Sequence, residues 1–483
     1  MLLSKRKVIF YIFLALADAI SLLLNIDFTY LVALNLWIVS MIYAIDQLKN
    51  RSLYFIFLIS FFTFLMGGHF CYEYLGMEIK YYFGDEYYFH SNLCLAISLL
   101  FILMGVFFSE HAVFRKKASA ENIRNNMTDV REDSYEMCQD VVIRKSSLYL
   151  FLGTYIFWIY TIVDKISFVL ANSYKAYYTE YESSAPFVVK AIAAMTPYFF
   201  YLFLATLPSK KECRFPIFLY GLYAILSLLT GRRSNFMIAV LFILLYVIFR
   251  HYRNKEEKWI KKKYVILGLM CIPLLAIFLQ ARSFLREGNS VNQSWKELFF
   301  GFFQQQGFSS SIIRLEKYYE SSLRPDAFYS LFGIVKTFRT NSIIKLIFNP
   351  QYDFSYLHNS VEFATRGNSL SNALSYKVLW SYLSGTGLGT CYIAELYHDF
   401  GYIGIFIGNF IYGSIMTIIN KIWNQPYKHT AWGIAIGFSM VESFIKAPRW
   451  NFDIIFQYFL DLGMWMAFLA VFIMTALLRM RHK

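Results

Sequence analysis

Apolar residues fall along the chain in runs too long and too frequent for a soluble domain. A helix that crosses a bilayer needs about 20 mostly apolar residues. Runs of that kind predict helices near 8–25, 28–46, 52–70, 89–109, 148–169, 188–207, 215–230, 235–250, 264–281, 401–422, 431–446 and 454–478. The pair flanking Gly231 is short. The N-terminus, MLLSKRKVIFYIFLALADAI, has the look of a signal peptide but lacks a small-residue cleavage site, so it reads as a retained first helix. Two polar interruptions are long. The segment 110–147 is mixed in charge and has no apolar periodicity, which predicts a solvated or disordered linker. The segment from about 282 to 400 carries aromatics at helical spacing, in SWKELFFGFF and IIRLEKYY. It predicts short helices lying on the membrane face, and a loop this long in a compact protein is usually functional.

The pattern therefore predicts an all-α polytopic membrane protein of about twelve transmembrane helices. Residues 1–281 would hold nine spans and a cytoplasmic loop at 110–147, residues 282–400 one large outer loop, and residues 401–483 the last three spans. No internal repeat is visible.

Composition agrees. Of 483 residues, 57% are hydrophobic and 20% aromatic, while only 16% are charged, against about 25% in an ordinary soluble protein. The net charge of +14 is no nucleic-acid signal, because Lys and Arg accumulate in the cytoplasmic loops of membrane proteins. With both termini placed in the cytoplasm, the inward segments SKRK, DQLKNR, 110–147, PSKKECR, HYRNKEEKWIKKK, NQPYKHT and RMRHK hold more than half of the 46 basic residues. Cys71, Cys94, Cys138, Cys213, Cys271 and Cys391 are scattered without a CxxC pair, so neither a zinc site nor a disulfide framework is indicated. HExxH, P-loop and outer DxD patterns are absent, and no metal or cofactor is expected.

Charge on the outer side changes the picture. Residues 282–378 carry eleven basic and seven acidic residues, against the topological bias. Arg232 and Arg233, in TGRRSN, sit at the tip of a tight hairpin. Adjacent guanidiniums there repel unless an anion lies beside them, and Arg grips phosphate through a planar fork of donors. Arg282 and Arg286, four apart in QARSFLREG, share a helix face. Arg339 in KTFRTNS and Arg366 in TRGNS are single candidates for the same task. The segment GTGLGTCYIAELYHDFGYIG follows, with Gly385, Gly387 and Gly389 able to form an anion nest. Glu395, His398 and Asp399 then occupy one helix face and are candidates for a general base. His358 and Glu362, again four apart, and Arg449 complete the set. Within predicted spans lie Asp18, Asp164 with Lys165, Glu442 with Lys446, and Asp461. The spacing of Glu442 and Lys446 predicts an internal ion pair, whereas Asp18 and Asp461 show no partner.

The TGRRS hairpin, the late GTGLGTCYIAELYHDFGYIGIFIG segment, the many Phe- and Tyr-rich spans and the long outer loop together resemble the Wzy-type O-antigen and capsule polysaccharide polymerases. The resemblance implies a GT-C type glycosyltransferase. Such an enzyme joins repeat units carried on undecaprenyl diphosphate at the outer face of the bacterial cytoplasmic membrane, without a metal. The implied partners are the lipid-linked glycans, the bilayer, a chain-length regulator protein and a flippase, with no nucleic acid. The residues fit such a reaction. Negative charge grows on a diphosphate leaving group, which Arg232, Arg233, Arg282, Arg286, Arg339 and Arg366 are suited to hold. A proton must leave the attacking hydroxyl, for which Glu395 stands first, before His398 and Asp399. A lipid-linked oligosaccharide flippase or other secondary transporter, and an O-antigen ligase-like GT-C transferase, remain the alternatives.

Overall fold

A computed structural model describes residues 5–124, 132–172, 176–253, 257–286, 290–340, 359–424 and 430–481. Among the described residues there is no strand, and ten helices are long and apolar enough to cross a membrane. The two other predicted spans are helical as well: the first lies in the 19-residue helix Lys5–Leu23, and the eleventh is the 16-residue helix Ala431–Lys446, which falls below that length. At a rise of about 1.5 Å per residue, 16 residues fall short of a hydrocarbon core of about 30 Å.

Three boundaries differ from the sequence pattern. The polar segment 110–147 is not a simple linker, because helices Asp85–Arg124 and Glu132–Ala171 extend into it from both sides. The tenth predicted span, 401–422, starts where expected at a non-helical Gly401, but a further helical stretch from Tyr392 precedes it and the whole runs to Asn424. The last one is not continuous. A short helix Ile454–Gln457 and a 3-10 turn Tyr458–Leu460 precede Leu462–Arg481. Asp461 makes that break, since its carboxylate accepts the Gly463 amide at 2.7 Å and the Tyr198 hydroxyl at 2.5 Å. Apolar periodicity cannot reveal a cap whose partner lies on a distant helix.

The Tyr392–Asn424 helix packs along Asp85–Arg124 at the centre of the bundle. A Cβ on Gly413 would lie 2.2 Å from the Ile102 carbonyl, and one on Gly105 would lie 2.3 Å from that of Phe410. Small residues let apolar helices approach where dispersion rather than water drives association. The end of the bundle away from the long loop is pinned by Arg51, whose fork meets Glu110 through two bonds of 2.7 Å in a buried pair. Asp18, which showed no partner in sequence, accepts a bond from Asn35 at 2.9 Å. Asp164 is held by Tyr181, Ser183 and Ser184 rather than by its neighbour Lys165.

Between helix Lys262–Arg286 and helix Tyr392–Asn424 the chain folds into short helices at one end of the bundle, hereafter the loop end. Helix Trp295–Gln306 opens with a capping box, in which Ser294 and Glu297 satisfy each other's backbone amides. Helix Ser309–Tyr319 is buried along most of its length. Its Arg314 is fully buried and donates to the Lys80 and Tyr81 carbonyls, to Ser311 and to His69. Loss of water pulls the Arg314 guanidinium down to about 10.

Candidate functional site

Helix Lys210–Ser227 tightens into a 3-10 turn at Leu228–Thr230 and reverses at Gly231, whose φ of 79° suits glycine. Arg232 and Arg233 follow, and helix Ser234–Arg253 begins at once. The two neighbouring guanidiniums take different partners. Arg232 is exposed and lies over the Tyr177 ring, 5.4 Å from its centroid. Arg233 turns the opposite way and donates to the Leu279 carbonyl at 3.2 Å and to Gln305 Oε1 at 2.9 Å.

Arg282, one turn before the end of its helix, reaches back to the Leu228 carbonyl at 3.5 Å. Arg233 and Arg282 thereby line one small surface cleft together with Leu228, Gly231 and Ser283. The guanidinium of Arg233, from the hairpin turn, and the guanidinium and hydroxyl of Arg282 and Ser283, from helix Lys262–Arg286, form its polar wall. An oxyanion placed there would meet planar donor forks already oriented by backbone carbonyls.

The signal missed in sequence is the run Gln304–Gln305–Gln306 at the end of helix Trp295–Gln306. Gln304 donates to the Glu78 carbonyl at 2.7 Å. Gln305 accepts from Arg233 and donates to Ser283 Oγ at 3.3 Å, so one amide holds both a guanidinium and a hydroxyl of the cleft. Gln306 accepts from Arg449 at 3.1 Å, and the Arg449 guanidinium also lies over Phe64. Gly307 follows directly. A Cβ there would lie 2.1 Å from the Gly68 amide nitrogen, so the helix end sits flush on the transmembrane backbone. Three consecutive amides with unlike duties are visible as such only in three dimensions.

Glu395, His398 and Asp399 do share the helical stretch before the Gly401 kink, but each is committed to a different partner. Glu395 is fully buried. Its Oε1 accepts from Thr390 and Asn451, both at 2.7 Å, and its Oε2 accepts the Phe452 amide at 2.9 Å. It ties the start of this helix to the segment that follows Arg449. Asp399 accepts both the Tyr329 and Ser330 amides and the Ser330 hydroxyl, capping the turn Tyr329–Leu331. His398 bridges Glu316 Oε1, 3.3 Å from Nδ1, and the Arg324 carbonyl, 3.0 Å from Nε2. Glu316 is fully buried, and loss of water pushes its carboxyl up to about 7. Sequence reasoning passed over it because it looked like one more charge on an amphipathic helix.

The glycine-rich turn uses positive φ at Gly385 and Gly389. The protein itself engages several of its polar groups. Ser375 accepts the Leu388 amide at 2.9 Å, and Asn359 donates to the Tyr382 and Thr386 carbonyls. Glu362 and Arg366 are exposed on helix Val361–Arg366 and are not among the cleft-lining residues. The Arg366 carbonyl accepts from Arg324 at 2.7 Å. His358 lies outside the described residues. Arg286 and Arg339 lie in helices, but their side chains are outside the described ones.

Comparison with protein families returns one finding: the model of O-antigen polysaccharide polymerase Wzy matches residues 6–482, nearly the whole chain. Neither curated proteins nor solved structures give a match.

Proposed function

The chain belongs to the O-antigen polysaccharide polymerase Wzy family, whose members act on lipid-linked oligosaccharide repeat units in the membrane, and from that premise we propose that the Arg233–Arg282 cleft grips the diphosphate of the glycan donor. The donor is undecaprenyl-diphosphate-linked repeat unit, and the enzyme is a GT-C type transferase working at the outer face of the bacterial cytoplasmic membrane. Both termini lie in the cytoplasm, in keeping with the distribution of basic residues.

One observation carries the reading. Arg233, from the turn before helix Ser234–Arg253, and Arg282, from helix Lys262–Arg286, line the same cleft. In the transfer, the acceptor hydroxyl oxygen attacks the anomeric carbon of the donor sugar. The bond from that carbon to the diphosphate oxygen breaks, and its electron pair leaves with the diphosphate. Donors fixed in advance at that oxygen stabilise the charge as it grows. Gln305 and the Leu279 carbonyl hold the Arg233 fork in place. The charge is met by protein groups, and we propose transfer without a metal on that basis. Arg232, Arg286, Arg339 and Arg366 belong to the surrounding basic surface that attracts the anionic lipid. In this reading Glu395, His398 and Asp399 position the loop segments, since their hydrogen-bond partners are protein groups.

The test is reconstitution. Purified protein in liposomes, supplied with lipid-diphosphate-linked repeat units, should yield a ladder of extended glycans. Transbilayer movement of the lipid-linked substrate without any extension would replace this reading with the transporter.

A further inference from the structure

Helix Lys262–Arg286 has two unlike halves. Its outer half packs, and Ala276, Leu279, Gln280 and Ser283 are buried. Ala276 and Leu279 form a small apolar cluster with Phe302, against which Leu228, Phe236 and Met237 lie. Below that cluster the packing stops. Every described residue from Val265 to Leu274 is exposed. A span packed on its bundle repeats a buried position every three or four residues. This stretch has none over roughly three turns. A Cβ on Gly268 would meet nothing within 4 Å. Pro273 stands at the boundary, where its missing amide interrupts the helix ladder.

The neighbouring helix, Ser234–Arg253, is open on the side that continues from Arg233. Met237, Val240 and Leu244 follow that arginine at i+4, i+7 and i+11, one face of the helix. Met237 packs on the shared cluster, so this face turns toward helix Lys262–Arg286. Val240 is half-buried and Leu244 is 38% exposed. On the other helix, Phe278, Leu274, Cys271 and Leu267 run inward from Arg282, and all are exposed. Both helices are among the ten candidate spans. Neither carries a charge over 236–249 or 265–279.

The two spans are thus joined at their outer ends and leave an apolar wedge beneath. The cleft stands at its top, because Leu228 lines the cleft and also packs on the cluster. Phe278, 50% exposed, carries the apolar path past that cluster. Leu244 lies about 16 Å inward of Arg233 at 1.5 Å per residue, roughly half of a 30 Å hydrocarbon core.

We propose that this wedge holds the polyprenyl tail of the donor while its diphosphate sits at Arg233 and Arg282. The assignment rests on the polymerase reading above and extends it from headgroup to tail. A lipid gripped at the cleft enters the hydrocarbon where the wedge begins. Its tail gains no hydrophobic energy by leaving the bilayer for the wedge. Residence there comes from the tether at the arginines and from dispersion along the two helix faces.

The experiment binds a lipid-diphosphate-linked repeat unit with a photoreactive tail to the full-length protein in proteoliposomes containing phosphatidylglycerol. Adducts should map to 265–274 and to Leu244. They should fall with unlabelled lipid-linked repeat unit, persist against an equal excess of phosphatidylglycerol, and disappear in R233A/R282A. Leu274→Trp fills the wedge from an exposed position and should raise KM for the donor several-fold at unchanged kcat, the sign of lost ground-state binding. Equal labelling by a photoreactive phosphatidylglycerol would make the wedge ordinary bilayer contact and overturn the proposal. Adducts confined to other helices, adducts that survive R233A/R282A, or an unchanged KM in Leu274→Trp would do the same. Oxidative coupling of the exposed Cys271 between copies would seat a second copy in the wedge instead. Any of these outcomes beside a normal glycan ladder removes this inference and leaves the polymerase reading intact. A parent protein that builds no ladder removes the polymerase reading, and this inference with it.

Discussion

Glu316 and His398 face each other across 3.3 Å beneath the loop end, with the carboxyl fully buried. His398 Nε2 lies 3.0 Å from the Arg324 carbonyl, which can only accept, so Nε2 carries a proton. A neutral Glu316 can donate to Nδ1; an ionised one accepts from it and, against the effect of burial, raises His398 above the ordinary imidazole value. Among the described residues no donor reaches the second Glu316 oxygen.

That geometry gives a pH dependence. Burial raises the Glu316 carboxyl from 4.5 to about 7 in the folded protein, so the folded state binds its proton more tightly than the unfolded chain. The stabilisation is fully present below the unfolded value and is lost as pH rises through about 7. Thermal melts across this interval should show the midpoint falling with rising pH. Glu316→Gln, whose amide mimics the neutral acid, should flatten that slope, and an unchanged slope would remove Glu316 from the account.

Arg233→Ala and Arg282→Ala should each reduce the rate of glycan extension by about 10- to 150-fold. That corresponds to the ~1.5–3 kcal/mol of a charge-assisted hydrogen bond. Arg233→Lys should recover little, because an ammonium cannot hold the Leu279 carbonyl and Gln305 while presenting a planar fork. Initial rates in proteoliposomes at matched protein levels decide it; full rescue by lysine would reduce Arg233 to a point charge.

Gln305→Leu removes no charge but releases Arg233 and Ser283 together. Extension should fall by roughly tenfold, in line with the loss of about one hydrogen bond's orientation, and the melting midpoint should barely move. A large drop in stability without a kinetic effect would make the amide a structural tie only.

Glu395→Gln distinguishes a base from a brace. The carboxylate accepts three bonds in a site without water access. The amide can turn only one oxygen to those donors, and its NH₂ must face another N–H or hydroxyl. Destabilisation of about 1–3 kcal/mol is expected, seen as a lower melting midpoint. A variant that melts normally but cannot extend glycans would restore Glu395 as the proton acceptor.

How far the sequence carries depends on what each residue's role requires. The TGRRS hairpin was legible because a glycine between two apolar runs forces a reversal, and basic residues at its tip have few other places to go. The Glu442–Lys446 pair was legible from spacing alone, and it is present. The Glu395, His398 and Asp399 face was legible as a helix face. Which way it points was not, since i, i+3, i+4 spacing fixes a side of a helix and not what lies opposite. Gln305 and Gln306 left no signal, because three amides at a helix end read as solvated. The break at Asp461 was hidden for a related reason: its partner Tyr198 is 263 residues away.

The contact between Gly307 and Gly68 has a consequence for how substrates arrive. No methyl group fits between the two backbones, and Gln304, Gln306 and Arg314 clamp the same region to Glu78, Arg449 and the Lys80 and Tyr81 carbonyls. This part of the loop end is fastened to the segments beneath it by those bonds and by backbone contact. If the cleft takes a lipid-linked donor as proposed, this part of the loop end would be a fixed side of its entrance.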